Sequence, residues 1–239
     1  MHLSCLHFIH LHSITFSINF SKQRNDNITT MRILIIANGS EPSPDLLGSL
    51  YESCDRFIAA DGGGNAAIRL GYNPDAVIGD LDSFRQSDAY RGELIREPDQ
   101  ETNDLEKALD FARKLKADRV DVVGATGERL DHTLKNLSVM QQFNHCFDQL
   151  AFYDDHFFSR ILPRDFSLSL PPEHLVSLFP LSGKVEGVIT DGLRYPLRNE
   201  SLENGRRDGS SNETLRGDIR IRHRSGVLLF MTALTDQLI

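Results

Sequence analysis

Short apolar runs along the chain alternate with longer segments whose apolar residues recur every three or four positions, and the two patterns predict different elements. From Met31 the run Arg32-Ile33-Leu34-Ile35-Ile36-Ala37 is nearly continuous, rich in β-branched residues, and ends at Asn38-Gly39. Such a run suits a strand buried on both faces, as in a parallel sheet. The pattern then predicts a helix from about Pro44 to Cys54 and a strand over Phe57-Ile58-Ala59-Ala60, which ends in Asp61-Gly62-Gly63-Gly64. A helix over roughly 65–70 leads to a third strand, Ala76-Val77-Ile78-Gly79, which runs straight into Asp80; Leu94-Ile95 make a candidate fourth. Over 103–116, Leu105, Ala108, Leu109, Ala112 and Leu115 share one helical face. Asn103 can cap this helix, and Glu106 three residues on completes a capping-box pattern. Arg119–Gly124 predicts another strand, Asp131 starts a helix with Leu134, Leu137, Met140 and Phe143 on one face, and Leu150-Ala151-Phe152-Tyr153 follows as a strand.

Strands separated by helices of this length imply βαβ units. Residues 31–160 are therefore expected to form an α/β domain, a mostly parallel sheet flanked by helices in the Rossmann-like manner. Beyond about residue 160 the period changes to two, as in Phe166-Ser167-Leu168-Ser169-Leu170 and Asp218-Ile219-Arg220-Ile221-Arg222. Residues 161–239 are expected to form a small antiparallel β domain. The polar, Gly/Ser-rich stretch 198–213 is expected to be a long loop between two of its strands.

Ligands of parallel sheets sit outside the carboxyl ends of the strands. Asn38-Gly39, Asp61-Gly62-Gly63, Gly79-Asp80 and Gly124-Ala125-Thr126-Gly127 all fall there. Asp80 and Asp82, two residues apart on a turn, can face one hard cation, since Mg²⁺ requires oxygen ligands. The plain alternative is a solvated Asp-rich turn. Glycines after Asp61 let backbone N–H groups approach phosphate oxygens, and Asp61 itself can reach a ribose hydroxyl, an amine or the metal. The acidic run Glu97–Asp104 offers Asp104 as a third carboxylate and Gln100 as a donor to substrate, although Asp104 also suits a helix N-terminus electrostatically. In Gly124–His132, Arg129 is a natural phosphate clamp, and Asp131 can serve as a helix cap.

Composition narrows the partners. The 239 residues are 40% hydrophobic and 25% charged, enough for a core that needs no disulfide or metal staple. A net charge of -8 argues against nucleic-acid binding. Cys5, Cys54 and Cys146 are scattered and form no disulfide framework, which favours a reducing, cytoplasmic setting. In residues 1–30, His2, His7, His10 and His12 alternate with apolar residues, without a basic leader or cleavage site. That apolar stretch is too short and interrupted to span a bilayer, so no membrane partner is expected. These residues are expected to be a disordered extension or an upstream misassigned start.

Taken in order and spacing, Asp61-Gly62-Gly63, Gly79-Asp80-Leu81-Asp82-Ser83, the Gln100–Asp104 run ahead of Lys107-Ala108-Leu109, and Gly124 through Gly127-Glu128-Arg129-Leu130-Asp131-His132 resemble the thiamine pyrophosphokinase family. The resemblance extends to Asp191-Gly192-Leu193-Arg194-Tyr195-Pro196-Leu197 and Ser210-Ser211-Asn212-Glu213. It implies transfer of pyrophosphate from ATP to the hydroxyl of thiamine, with an α/β domain for ATP, a β-sandwich domain for thiamine, and a homodimer whose sites draw on both chains. By position it makes Asp80, Asp82 and Asp104 the Mg²⁺-associated carboxylates and Arg129 a catalytic phosphate contact. Asn38, Asp61, Gly62, Gly63, Gly124, Gly127 and Asp131 then belong to the ATP side, and Gln100, Tyr195, Ser211 and Asn212 to the thiamine side. The chain departs from the family pattern at Glu101 (Asp), Asn103 (Thr) and Glu128 (Gly). Two rival readings stay open at this level: a pyrophosphokinase of similar fold acting on another alcohol such as a hydroxymethylpterin, and a nucleotide- or thiamine-binding sensor without catalysis.

Overall fold

In a computed structural model of the chain, residues 30–85 and 90–239 are described. The expectations for the histidine-rich stretch and Cys5 lie outside them. In chain order the first part contains β1 (Arg32–Ile36), α1 (Pro44–Glu52), β2 (Arg56–Ala60), α2 (Gly63–Arg69), β3 (Ala76–Gly79), β4 (Glu93–Arg96), α3 (Asp104–Lys114), β5 (Arg119–Val123), α4 (Leu130–Phe143) and β6 (Gln149–Tyr153). The strands pair in parallel in the order β4-β3-β2-β1-β5-β6.

The continuous apolar runs are explained by this sheet, because both faces are covered. Leu34 and Ile36 of β1 pack with Leu46, Leu47 and Leu50 of α1 and with Ala66 and Ala67 of α2. Ile33 and Ile35 pack on the opposite face with Leu105, Ala108, Leu109 and Ala112 of α3 and with Val139, Met140 and Phe143 of α4. One expectation for α4 fails: Leu134 is 57% exposed, and the buried set is Asn136, Val139, Met140 and Phe143. A helix that follows a parallel strand begins at the strand's carboxyl end. The first turns of α4 therefore stand beside the loop that leaves β5, and only its later turns cover the sheet.

Strand order reverses between β1 and β5, the kind of point at which such sheets bind ligands, and the loops leaving the two strands run side by side there. They remain stitched together: Gly39 N–H donates to Gly124 O at 2.8 Å and Ser40 N–H to Thr126 O at 2.9 Å. A Cβ on Gly39 would lie 2.5 Å from Gly124 O, so only glycine permits this approach.

The chain continues as β7 (Phe157–Ile161), β8 (Asp165–Ser169), β9 (Leu175–Asp191), β10 (Arg198–Leu202), β11 (Gly209–Glu213), β12 (Asp218–Arg222) and β13 (Ser225–Ala233). All of these pair antiparallel. β7 joins β6, so the sheet passes from its parallel to its antiparallel part without a break, and a division at 160/161 falls inside β7. The 17-residue β9 turns the corner: its first part pairs with β13 and β11, its second with β10 and β12. Val176, Leu178 and Phe230 on one side then meet Val188, Leu202, Ile219 and Ile221 on the other in a shared apolar cluster.

The stretch 198–213 is not a long loop. It forms β10 and β11, joined by a turn. Each strand buries only one side chain, Leu202 and Asn212 respectively, and takes its order from backbone pairing with β9. A strand so placed needs little apolar content, which is why alternation is absent from its sequence.

The capping box is present as expected. Asn103 Oδ1 accepts from Glu106 N–H at 2.9 Å, Glu106 Oε2 accepts from Asn103 N–H at 3.0 Å, and Asn103 Nδ2 reaches Asn136 Oδ1 at 3.0 Å. Asn103→Ala is expected to lower the unfolding free energy by about 1–2 kcal/mol in denaturant titrations. Asn103→Thr, which still caps, is expected to cost less.

Candidate active site

β2 and β3 end side by side, with Asp61 N–H donating to Ile78 O at 2.8 Å. Gly79 is the point of closest approach. A Cβ there would lie 2.7 Å from Asp61 Cβ and 3.0 Å from Asp104 Oδ1, so a side chain would force apart the ends of β2 and β3 and the start of α3. Beyond it the chain turns sharply, with Leu81 in the left-handed region at φ 64°. Asp80 Oδ1 accepts from Asp82 N–H at 3.2 Å, and Asp82 Oδ1 accepts from Ser83 Oγ at 2.9 Å. The turn folds back so that Ser83 and Phe84 N–H groups each donate to Asp61 at 3.2 Å.

The result is a carboxylate cluster. One oxygen from each of Asp61, Asp80 and Asp82 lies within 4.8 Å of the others. Asp61, expected on the nucleotide side, stands inside this group. Asp104 adjoins it across Gly79 and pairs with Lys107 Nζ at 3.2 Å. The donor set is all carboxylate oxygen, half open to water, which fits Mg²⁺ better than a softer metal. Burial, then the nearby Asp104 charge, pushes the Asp61 carboxyl above its ordinary 3.8. Asp104 is likewise raised, chiefly by burial and further by Asp80 and Asp82, against the pull of Lys107. Asp80 is lowered, first by the Gln100 amide and then by the Asp82 N–H.

Gly62 and Gly63, expected on the nucleotide side, allow contacts that side chains would block. A Cβ on Gly62 would meet the Asn38 amide at 2.5 Å, and one on Gly63 would meet Ile36 O at 2.3 Å. Beside them lies an open cavity of about 430 Å³ lined by Asn38, Asn65, Ile68, Arg69, Ser83 and Arg85. Asn65 and Arg85 were not singled out by sequence. Asn65 Nδ2 donates to Ser83 O at 2.9 Å and its Oδ1 accepts from Arg85 N–H at 2.9 Å, bracing the turn from below. The one available signal was their position, directly after the glycines and directly after the Asp-rich turn.

Gly124 and Gly127 both take positive φ, and a Cβ on Gly127 would overlap Ser40 Oγ. Arg129 is exposed, but its fork is occupied: Nε and Nη2 donate to Asp131 at 3.1 and 2.6 Å. A phosphate must compete with Asp131 for it. Asp131 is not the helix cap; Arg129 holds that position, and Asp131 sits in the first turn of α4.

The residues expected on the thiamine side divide. Gln100 Nε2 donates to Asp80 Oδ2 at 3.1 Å, so Gln100 belongs to the carboxylate cluster. Tyr195 is 65% exposed, while the buried Asn212 accepts from Tyr195 N–H at 3.0 Å and donates to Tyr195 O at 2.8 Å. Both ends of the Asn212 amide are thus spent on bracing the Tyr195 loop. Ser211, at φ 58°, is exposed and donates its N–H to Ser177 Oγ at 3.0 Å. Among the described residues, no hydrogen bond or ion pair joins this patch to the carboxylates.

Comparison with known proteins matches both parts of the chain. The family model described as thiamin pyrophosphokinase, catalytic domain, covers residues 47–150, which hold the carboxylate cluster and Arg129. The model described as thiamin pyrophosphokinase, vitamin B1 binding domain, covers residues 165–228, with Tyr195, Ser211 and Asn212. The chain belongs to the thiamin pyrophosphokinase family. It is 28% identical over 211 residues to thiamine pyrophosphokinase 1 of Oryza sativa subsp. japonica, covering 75% of this chain and 79% of that protein. It is 24% identical over 208 residues to the thiamine pyrophosphokinase of Bacillus subtilis (strain 168), covering 83% and 97%. The fold matches the crystal structure of the Bacillus subtilis thiamine pyrophosphokinase with TM-score 0.73 at 23% identity, over 86% of this chain and 99% of that one. It also matches yeast thiamin pyrophosphokinase with TM-score 0.75 at 16% identity, over 89% of each chain.

None of the three departures from the family pattern replaces a carboxylate of the cluster. Glu101 is exposed and its N–H donates to Asp99, Asn103 replaces one capping residue with another, and Glu128 is exposed at φ 52°. That φ favours glycine, so Glu128→Gly is expected to raise stability by up to about 1 kcal/mol in denaturant titrations. Protons compete with a cation for the cluster. Because the Asp61 and Asp104 carboxyls lie above 3.8, thermal stabilisation by Mg²⁺ is expected to be full near neutral pH and to fade on acidification before that value is reached. Stabilisation that persists undiminished to pH about 4 would contradict the assignment.

Proposed function

We propose that the chain transfers a pyrophosphoryl group from ATP to the hydroxyl of thiamine, giving thiamine pyrophosphate and AMP. The observation that carries the reading is the pairing, in one chain, of the family's catalytic domain with its vitamin B1 binding domain. The carboxylate cluster outside the ends of β2 and β3 supports it, because attack on a triphosphate requires charge neutralisation more than covalent participation by the protein. When bound, Mg²⁺ supplies that neutralisation. Asp80, Asp82 and Asp61 would hold it, with Asp104 as the adjoining carboxylate and Gln100 orienting Asp80.

The chain's own groups do the rest. The glycines after β1, β2 and β5 let backbone approach the nucleotide, and Arg129, exchanging Asp131 for phosphate, holds the transferring charge. A carboxylate near the acceptor hydroxyl, Asp104 or Asp82, takes up its proton as the new O–P bond forms. The exposed Tyr195 and Ser211, braced by Asn212, form the thiamine side. That no hydrogen bond or ion pair among the described residues joins them to the carboxylates favours a homodimer in which the patch of one subunit completes the site of the other. The free Cys54 and Cys146 suit a reducing cytoplasmic setting. Among the described residues no helix is long and apolar enough to cross a membrane.

The test is direct. Purified protein with ATP, Mg²⁺ and thiamine is expected to release AMP and form thiamine pyrophosphate in equal amounts. Absence of AMP with thiamine, or equal turnover of a hydroxymethylpterin, would overturn the assignment. Asp80→Asn and Asp82→Asn are each expected to lower kcat by on the order of a hundredfold or more while the far-UV spectrum is unchanged. Near-normal turnover in either variant would remove that residue from the metal site.

A further inference from the structure

The carboxylate cluster has an internal counter-ion that the reaction as described does not use. Lys107 lies one helical turn beyond Asp104 on α3, with its side chain only 6% exposed and its Nζ 3.2 Å from Asp104 Oδ1. Among the described residues this is the one ion pair made by Asp61, Asp80, Asp82 or Asp104. The carboxyls of Asp80 and Asp99 are lowered chiefly by hydrogen bonds from Gln100 and Thr102 respectively, and the Lys107 charge adds to both in a smaller measure. Its neighbours on α3 behave differently. Arg113 and Lys114 are half exposed and share Asp110, a common pairing on a helix surface. Lys107 instead lines a cavity of about 280 Å³ that has both apolar walls, such as Ile78, Ile95 and Phe111, and acidic ones, Glu97, Asp99, Glu106 and Asp110. Its ammonium makes its ion pair with Asp104 of the cluster. Burying an ammonium is costly, and it persists where carboxylates compensate it.

We propose that Lys107 is a positioning residue, a built-in counter-ion that holds Asp104 in place before a divalent cation arrives and lowers the affinity of the site for that cation. The inference rests on the metal site proposed above and assigns a regulator to it. Two effects of the same charge follow. Holding Oδ1 of Asp104 fixes the carboxylate across Gly79 from Asp61. Repulsion between the ammonium and an incoming dication weakens binding, so the cation exchanges with its nucleotide rather than remaining locked in the acids. Removing the charge should therefore tighten cation binding while lowering turnover, two changes that loss of packing alone would not produce together.

Mn²⁺, read by its paramagnetic resonance signal, serves as the probe with nucleotide-free full-length protein. Lys107→Met is expected to lower the Mn²⁺ dissociation constant about fivefold or more. In the ATP and thiamine assay kcat should fall about tenfold with little change in KM for thiamine. Lys107→Arg, which keeps the charge, is expected to leave Mn²⁺ affinity within about twofold of the unmodified protein. Should the methionine variant not fold, Lys107→Gln carries the same expectation. Unchanged or weaker Mn²⁺ binding in the uncharged variant overturns the proposal, even when the unmodified protein produces AMP. If the unmodified protein binds no Mn²⁺, the metal reading fails and this one with it.

Discussion

Like charges repel, and the fold brings Asp61, Asp80, Asp82 and Asp104 together at the ends of two adjacent strands and the start of a helix. The approach is possible because residue 79 has no side chain: a Cβ there would press on both Asp61 and Asp104. The crowding is tolerable because three of the four carboxylates have distinct partners. Asp61 takes the N–H groups of Ser83 and Phe84, Asp80 takes Gln100, and Asp104 takes Lys107 and the N-terminus of α3. Asp82, the most exposed, relies on Ser83 and water. Burial first, and then the remaining repulsion, raises Asp61 and Asp104, and a divalent cation held there would relieve the repulsion.

The strands and the helix that position this cluster belong to the parallel part of the fold. Leu34 and Ile36 on one face and Ile33 and Ile35 on the other anchor β1 between two helical layers. The contact of Gly39 with Gly124 then ties the loops leaving β1 and β5 together. The antiparallel part hangs from the same sheet through β7 and β13, so the Tyr195 patch is held by a structure continuous with the one that holds the acids.

The positions at which the chain departs from its family's pattern show how local physics absorbs change. Asn103 in place of threonine preserves an oxygen acceptor for the helix N-terminus, the property the position requires. Glu128 in place of glycine retains a left-handed backbone, at a small cost in strain, and directs its charge to solvent. Neither replaces a member of the carboxylate cluster.

Periodicity alone was enough for the α/β half: strands buried on two faces and helices buried on one leave unmistakable runs and repeats, and the Asn103–Glu106 cap was legible because capping is local. The Asp80–Asp82 turn stood out as a candidate for a cation for the same reason, its carboxylates being neighbours in the chain. The entry of Asp61 into that group, the engagement of Gln100 with Asp80 and the exposure of Leu134 depended on where separate elements end relative to one another, which no local pattern encodes. β10 and β11 were invisible because their order comes from hydrogen bonds to β9 rather than from apolar side chains. The sequence by itself determined the elements and most of the chemically active residue types. Only the tertiary structure decided which of them meet, because side chains far apart in the chain are brought into contact by the packing of the sheet.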